Sequence, residues 1–249
     1  YEGVDIKGQG TIGLITYLRT DSIRISDEAQ AAAATFIQSA YGDRYLTEGR
    51  TRKESGVKIQ DAHEAIRPSD INRTPSELKD SLSRDQFRLY QLIWKRFAAS
   101  QMANALYETT TVNIGAGDYR FRVSTSKVAF DGFMSVYVEA DDEKEDSNVL
   151  LNTIDENTQL TLNELEPKQH FTQPPAHYTE ASLVKVLEEL GIGRPSTYSP
   201  TITTILARRY IIKENKNLYV TEIGEVVNSI MKESFPTIVD EHFTANMES

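Results

Sequence analysis

Apolar and polar positions alternate with three different textures along the chain. Gly13-Leu14-Ile15-Thr16-Tyr17-Leu18 is β-branched and aromatic, which predicts a short strand. Ser26-Asp27-Glu28 then offers a helix cap and a negatively charged first turn. Ala29, Ala32, Ala33, Phe36, Ile37 and Ala40 keep helical spacing behind it, predicting one buried face. A second helix opens at Ser83, where Ser83-Arg84-Asp85-Gln86 has capping-box form, and runs through Leu89, Ile93, Trp94 and Phe97 to about Met102.

From Leu106 the period shortens to two. Thr109 to Ile114, a Gly115-Ala116-Gly117-Asp118 turn and Tyr119 to Val123 predict a hairpin, and Val128–Val138 and Gln159–Leu165 read as further strands. A β unit this small is expected to need strands from elsewhere in its polypeptide. Pro174-Pro175 marks the next boundary. Beyond it, Thr179 caps a helix through Leu190 that Gly191 ends, and a second helix spans about Ser196 to Arg208. A hairpin turns at Glu214-Asn215-Lys216-Asn217, and Thr221 starts a last helix. Helix, glycine turn, helix and two-stranded wing outline a winged helix-turn-helix. The expected organisation is therefore a multi-domain α+β protein with parts at 1–105, 106–172 and 173–249.

Composition narrows the chemistry. The 249 residues contain no cysteine, which excludes disulfides and thiolate metal sites. No apolar run has the length of a membrane span and no signal peptide precedes Tyr1, so a cytoplasmic protein without a membrane partner is expected. Both ends read as cut, since the chain opens on Tyr1-Glu2-Gly3 and stops at Met247-Glu248-Ser249. The net charge of −10 argues at first against nucleic acid. Its acidity is concentrated between Glu139 and Glu166, however, with ten acids and one lysine, and the remainder is close to neutral. Charge permits a DNA partner without requiring one.

Three segments could carry chemistry. In Tyr17-Leu18-Arg19-Thr20-Asp21-Ser22, a tyrosine at a strand end can reach into a cleft. A phenol ionises only near pH ~10, so it needs a cation or base to become a nucleophile. Arg19 can grip a phosphate and favour the phenolate, and Thr20 and Ser22 can donate to phosphate oxygens. In Asp61 to Ser69, His63 offers a proton carrier or phosphate donor and Arg67 a second anion site. In Gly191-Ile192-Gly193-Arg194-Pro195-Ser196-Thr197-Tyr198, close backbone approach and a helix start can receive a DNA phosphate, with Arg194, Ser196 and Thr197 adding side-chain contacts. Each segment also has an ordinary reading: a half-buried strand tyrosine, a surface histidine beside acids, and a capped helix-to-helix turn. Residue types alone favour the ordinary reading for the first two. The third is too common a motif to mean much alone, and only the surrounding winged-helix outline makes its two readings about even.

Together, Gly13 to Ser22, His63 to Ser69 and Gly191 to Tyr198 resemble the successive signatures of the bacterial type IA DNA topoisomerase family. Arg96-Phe97-Ala98-Ala99-Ser100-Gln101-Met102 and Phe243-Thr244-Ala245-Asn246-Met247-Glu248 match it as well, in the right order. Leu18 and Arg194-Pro195-Ser196-Thr197 favour the topoisomerase I branch over topoisomerase III. The topoisomerase half of a reverse gyrase stays open.

The resemblance implies that Tyr17 forms a 5′-phosphotyrosine link to one DNA strand, that Arg19 holds the scissile phosphate, and that His63 assists cleavage or positions DNA. It further implies that Arg194, Ser196 and Thr197 belong to a DNA-binding helical domain, and that 106–172 is part of a gate β domain. A mainly helical, winged-helix-like domain would carry Tyr17, and strand passage would relax negative supercoils without ATP. The implied partner is DNA, single-stranded or negatively supercoiled. The implied cofactor is Mg²⁺, bound by acids of a TOPRIM domain outside this chain, so no metal ligand is expected within it. Asp141-Asp142-Glu143 reads as a solvated charge run instead. The chain alone is expected not to relax DNA. The competing reading from another class is a non-enzymatic winged-helix DNA-binding module. Tyrosine recombinases and type IB enzymes fit less well, because they place their tyrosine near the C-terminus.

Overall fold

The computed structural model describes residues 1–20, 22–47, 63–138, 155–156 and 158–248. It divides into two compact units, Tyr1–Glu164 and Leu165–Ser249.

The first unit opens with strands β1 (Val4–Ile6) and β2 (Gly10–Ile12), paired antiparallel with Val4 opposite Ile12. Helix α1 (Asp27–Tyr41) follows, its first turn closed by the Ser26 hydroxyl accepting from Ala29 N–H. Ala29, Ala33 and Ile37 are its buried positions, whereas Ala32 and Ala40 face solvent, so the buried stripe is narrower than alanine spacing suggests. A short helix α2 (Pro75–Leu78) leads to α3 (Arg84–Ser100), which begins in the capping box of Ser83 and Gln86. The core-facing side of α3 is Tyr90, Trp94, Phe97 and Ala98; Leu89 lies 56% exposed, on the other side from the place its hydrophobicity predicts. Phe36 meets Trp94 edge-to-face at 5.6 Å, and the Trp94 Nε1–H donates to the Ile71 carbonyl at 2.8 Å. These contacts join α1, α3 and the segment before α2 into one core that also holds Leu14 and Met102.

Strands β3 (Leu106–Ala116) and β4 (Tyr119–Phe130) form a long antiparallel hairpin with Ala116 opposite Tyr119. The expected separate strand over Val128–Val138 is instead the end of β4 followed by a 3₁₀ turn at Gly132–Ser135. At the hairpin base, the Tyr45 hydroxyl donates to the Asp131 carboxylate at 2.7 Å and Arg44 lies over the Phe130 ring. Gln159–Leu165 forms no strand and pairs with none of the described strands.

In the second unit, Thr179 caps α4 (Glu180–Glu189) by accepting from Ser182 N–H. Gly191 takes φ +72° just past its end, where Ile192 N–H returns to the Leu187 carbonyl. Helix α5 (Tyr198–Ala207) carries Pro200 in its first turn, where a missing N–H costs nothing. Strands β5 (Ile211–Glu214) and β6 (Asn217–Val220) turn tightly through Asn215 and Lys216, both at positive φ, as a two-residue hairpin loop requires. Thr221 caps α6 (Glu222–Ser234), and α7 (Glu241–Glu248) closes the chain. Among the described residues no helix is long and apolar enough to cross a membrane.

Candidate active site

Tyr17 stands where two segments of the first unit are laced together. The predicted strand Gly13–Leu18 does not form; only Ile15 bridges to Pro68, whose ring nitrogen has no hydrogen to extend a ladder. The lacing is made one bond at a time instead. Ser69 N–H donates to the Leu14 carbonyl at 2.9 Å, and the Ser69 hydroxyl to the Gly13 carbonyl at 2.7 Å. Thr16 N–H donates to the Arg67 carbonyl at 3.0 Å, while its hydroxyl donates to the Ala65 carbonyl and accepts from Arg67 N–H. Tyr17 follows directly, with its anchored neighbour Thr16 half-buried and its own side chain 39% exposed. Chain direction and one well-held residue therefore aim the phenol outward.

The same lacing brings His63 to Tyr17. Their rings stack with centroids 5.6 Å apart and planes inclined by 26°. On another side the Tyr1 ring meets Tyr17 edge-on, at 5.3 Å and 68°. Arg19 is exposed two residues beyond Tyr17. Thr20 is half-buried and its hydroxyl accepts from Ser22 N–H; the Ser22 hydroxyl in turn accepts from Arg24 N–H, which shapes a compact turn after the tyrosine. Asp21 lies outside the described residues.

Arg67 is placed otherwise than an anion receptor. Its guanidinium donates twice to the Glu64 carboxylate, at 2.6 and 3.0 Å, and once to the Pro68 carbonyl. Any anion at Arg67 competes with that pair. Burial raises the Glu64 carboxyl, but the Ser26 hydrogen bonds and the Arg67 guanidinium outweigh it and hold the carboxyl below its ordinary value. Glu64 and Arg67 thus brace the His63 segment against the start of α1.

In the second unit, Arg194, Ser196 and Thr197 share the turn between α4 and α5. The Thr197 hydroxyl accepts from Arg194 N–H at 2.9 Å and donates to the Arg194 carbonyl at 3.0 Å, so it shapes the turn. Ser196 and the Arg194 side chain are exposed there.

Among the described residues no group of three or more His, Cys, Asp or Glu is arranged to hold a metal ion. Asp141-Asp142-Glu143 lies outside the described residues. Sequence reasoning missed Tyr1, Thr16 and Glu64. The parts of Tyr1 and Thr16 depend on which segments meet in space, and no local spacing signals that; the pair of Glu64 with Arg67, three residues apart, is a local signal.

The whole chain, residues 1–249, matches the family described as DNA topoisomerase. In structure it is similar to full-length topoisomerase I from Thermotoga maritima, with a TM-score of 0.75 and 37% sequence identity. That match covers 100% of this chain and 39% of the other, so this chain spans about two fifths of that protein.

Proposed function

Because the chain belongs to the DNA topoisomerase family, in its bacterial type IA class, we propose that it supplies the strand-cleaving tyrosine of such an enzyme. The observation that carries this reading is Tyr17 itself: an exposed phenol stacked on His63, next to an exposed arginine, on a segment pinned at its preceding residue.

In the proposed step, the Tyr17 oxygen attacks the phosphorus of one DNA phosphodiester. The bond from phosphorus to the 3′ oxygen breaks, the phenolic proton passes to a base, and the departing 3′ oxygen gains a proton. The 5′ phosphate is then held on Tyr17. Arg19 stabilises the charge on the phosphate oxygens, and His63 assists cleavage or positions DNA. Resealing is the reverse exchange, in which the 3′ hydroxyl attacks and the tyrosine leaves. One phosphodiester replaces another, so relaxation of negative supercoils needs no ATP. Thr20 is proposed to contact DNA beside Tyr17, as is Arg67 if its pair with Glu64 opens.

The α4–α5 turn, α5, the β5–β6 wing and α6 are read as a winged helix that holds DNA through Arg194, Ser196 and Thr197. The β3–β4 hairpin is read as part of the gate. The magnesium implied by the family is assigned to acids of a TOPRIM domain of the same polypeptide, outside this chain, and no step here runs through it.

The test supplies the chain with a separately expressed TOPRIM domain, magnesium and labelled single-stranded DNA. A covalent adduct only with the supplement is the expected result. An adduct formed by the chain alone contradicts the assignment of the acids. Salt-sensitive DNA binding with no adduct in either mixture favours the second reading, a winged-helix DNA-binding module.

A further inference from the structure

We propose that Tyr1 is a positioning residue for Tyr17: its ring, steeply inclined to that of Tyr17, holds the phenol at the angle from which it meets the scissile phosphate. The proposal rests on the reading of Tyr17 as the nucleophile.

A tyrosine that is 39% exposed at the end of an irregular segment can rotate about two side-chain bonds. Here it is flanked from two directions. His63 stacks on its face at 5.6 Å, and Tyr1 abuts it edge-on at 5.3 Å and 68°, both within the range where aromatic rings attract. The two flanking rings come from segments far apart in the chain. Together they limit the rotations that would swing the hydroxyl away from a bound strand.

Tyr1 is itself located by the fold. Pairing of β1 with β2 sets Val4 opposite Ile12, which carries the residues before Val4 alongside those after Ile12. Gly13 lies so near that a Cβ there would come within 3.1 Å of the Tyr1 carbonyl oxygen. The absence of a side chain at Gly13 therefore lets Tyr1 approach the Tyr17 segment. What its ring contributes is the inclined contact with Tyr17. A reacting oxygen held in place converts bound DNA to product more often than one that wanders, so the effect belongs to the rate of cleavage and not to DNA affinity.

The experiment uses the chain with the TOPRIM domain, magnesium and an end-labelled single-stranded oligonucleotide. It compares the parent with Tyr1→Ala, Tyr1→Leu and Tyr1→Phe. Loss of one aromatic contact predicts that Tyr1→Ala and Tyr1→Leu form the covalent adduct roughly three- to tenfold more slowly at saturating DNA. Their DNA affinity and melting temperature are expected to match the parent's. Tyr1→Phe, which keeps the ring edge, is expected to stay within about twofold of the parental rate. Should Tyr1→Ala fail to fold, Tyr1→Leu carries the comparison, because it retains bulk without a ring. Parental rates in both ring-less variants overturn the proposal. So does a defect that saturating DNA abolishes, since Tyr1 would then be binding DNA, and so does a Tyr1→Phe variant as slow as Tyr1→Ala. A parent that forms no adduct overturns the Tyr17 reading, and this proposal with it; a parent that reacts beside unaffected variants overturns this proposal alone.

Discussion

Thr16 and Arg67 are tied in both directions: Thr16 N–H donates to the Arg67 carbonyl at 3.0 Å, and Arg67 N–H donates to the Thr16 hydroxyl at 3.0 Å. The same hydroxyl donates to the Ala65 carbonyl at 2.8 Å. One threonine thus fixes the residue before Tyr17 to the segment that begins with His63. Thr16→Val keeps the shape and removes these side-chain bonds, leaving two backbone groups without their partner. The expected cost is roughly 1–2 kcal/mol in urea unfolding. The adduct rate should fall more than Tyr1→Ala lowers it, because the whole approach of the two segments loosens. Unchanged stability and unchanged rate would show that the lacing does not position the phenol.

Arg19 should matter through its geometry as well as its charge. A phosphate held by a planar fork is poorly served by an ammonium, so Arg19→Lys is expected to lose most of the adduct-forming rate and Arg19→Ala more. The comparison is made at saturating DNA, with melting temperature as the control for folding. Full activity in Arg19→Lys would reduce the role of Arg19 to a general positive charge.

The pair of Glu64 with Arg67 predicts an acid-sensitive fold. Glu64 titrates below its ordinary value in the folded chain, so it binds protons less readily there than in the unfolded chain. Its contribution is therefore present above the ordinary carboxylate range, at about pH 4.3, and is lost as pH falls through the depressed value. Urea midpoints of the parent measured from neutral to acid pH should fall more steeply at the acid end than those of Glu64→Gln. Parallel curves for the two proteins would contradict this.

Much of the helical framework was legible because helix ends are local chemistry. Ser26, Ser83, Thr179 and Thr221 each cap the helix that follows, as their sequence context predicts. The paired lengths of β3 and β4 were legible only in part, since nothing local told Val123 and Val128 to lie in one continuous strand. Two strand expectations failed for want of a partner. Gly13–Leu18 has strand-forming residues but meets Pro68, and Gln159–Leu165 meets no described strand at all. Hydrophobicity also misassigned one face of α3, exposing Leu89 and burying Tyr90, whose hydroxyl is satisfied by the Arg73 carbonyl. The motif residues could be picked from the sequence. That His63 lies on the ring of Tyr17 is a tertiary fact that no spacing encodes, whereas the pair of Arg67 with Glu64 is three residues apart and local.

Gly224 is buried in α6 where a Cβ would overlap the Tyr210 carbonyl oxygen. Gly224→Ala should force α6 away from the start of β5 and destabilise the second unit by roughly 1–3 kcal/mol. Hydrogen exchange should quicken within 165–249 while protection within Tyr1–Glu164 is kept, because the two units have separate interiors. Equal loss in both units would mean that they unfold as one.

The most direct test of the account is a search for the DNA–protein bond. The chain, the TOPRIM domain, magnesium and labelled single-stranded DNA are combined and separated on a denaturing gel, with Tyr17→Phe in parallel. The expected result is an adduct on the 5′ side of the break that proteolytic mapping places on Tyr17, and none with Tyr17→Phe. An adduct that survives in Tyr17→Phe, or one joined through the 3′ phosphate, would contradict the assignment of Tyr17 as the cleaving residue of a type IA enzyme.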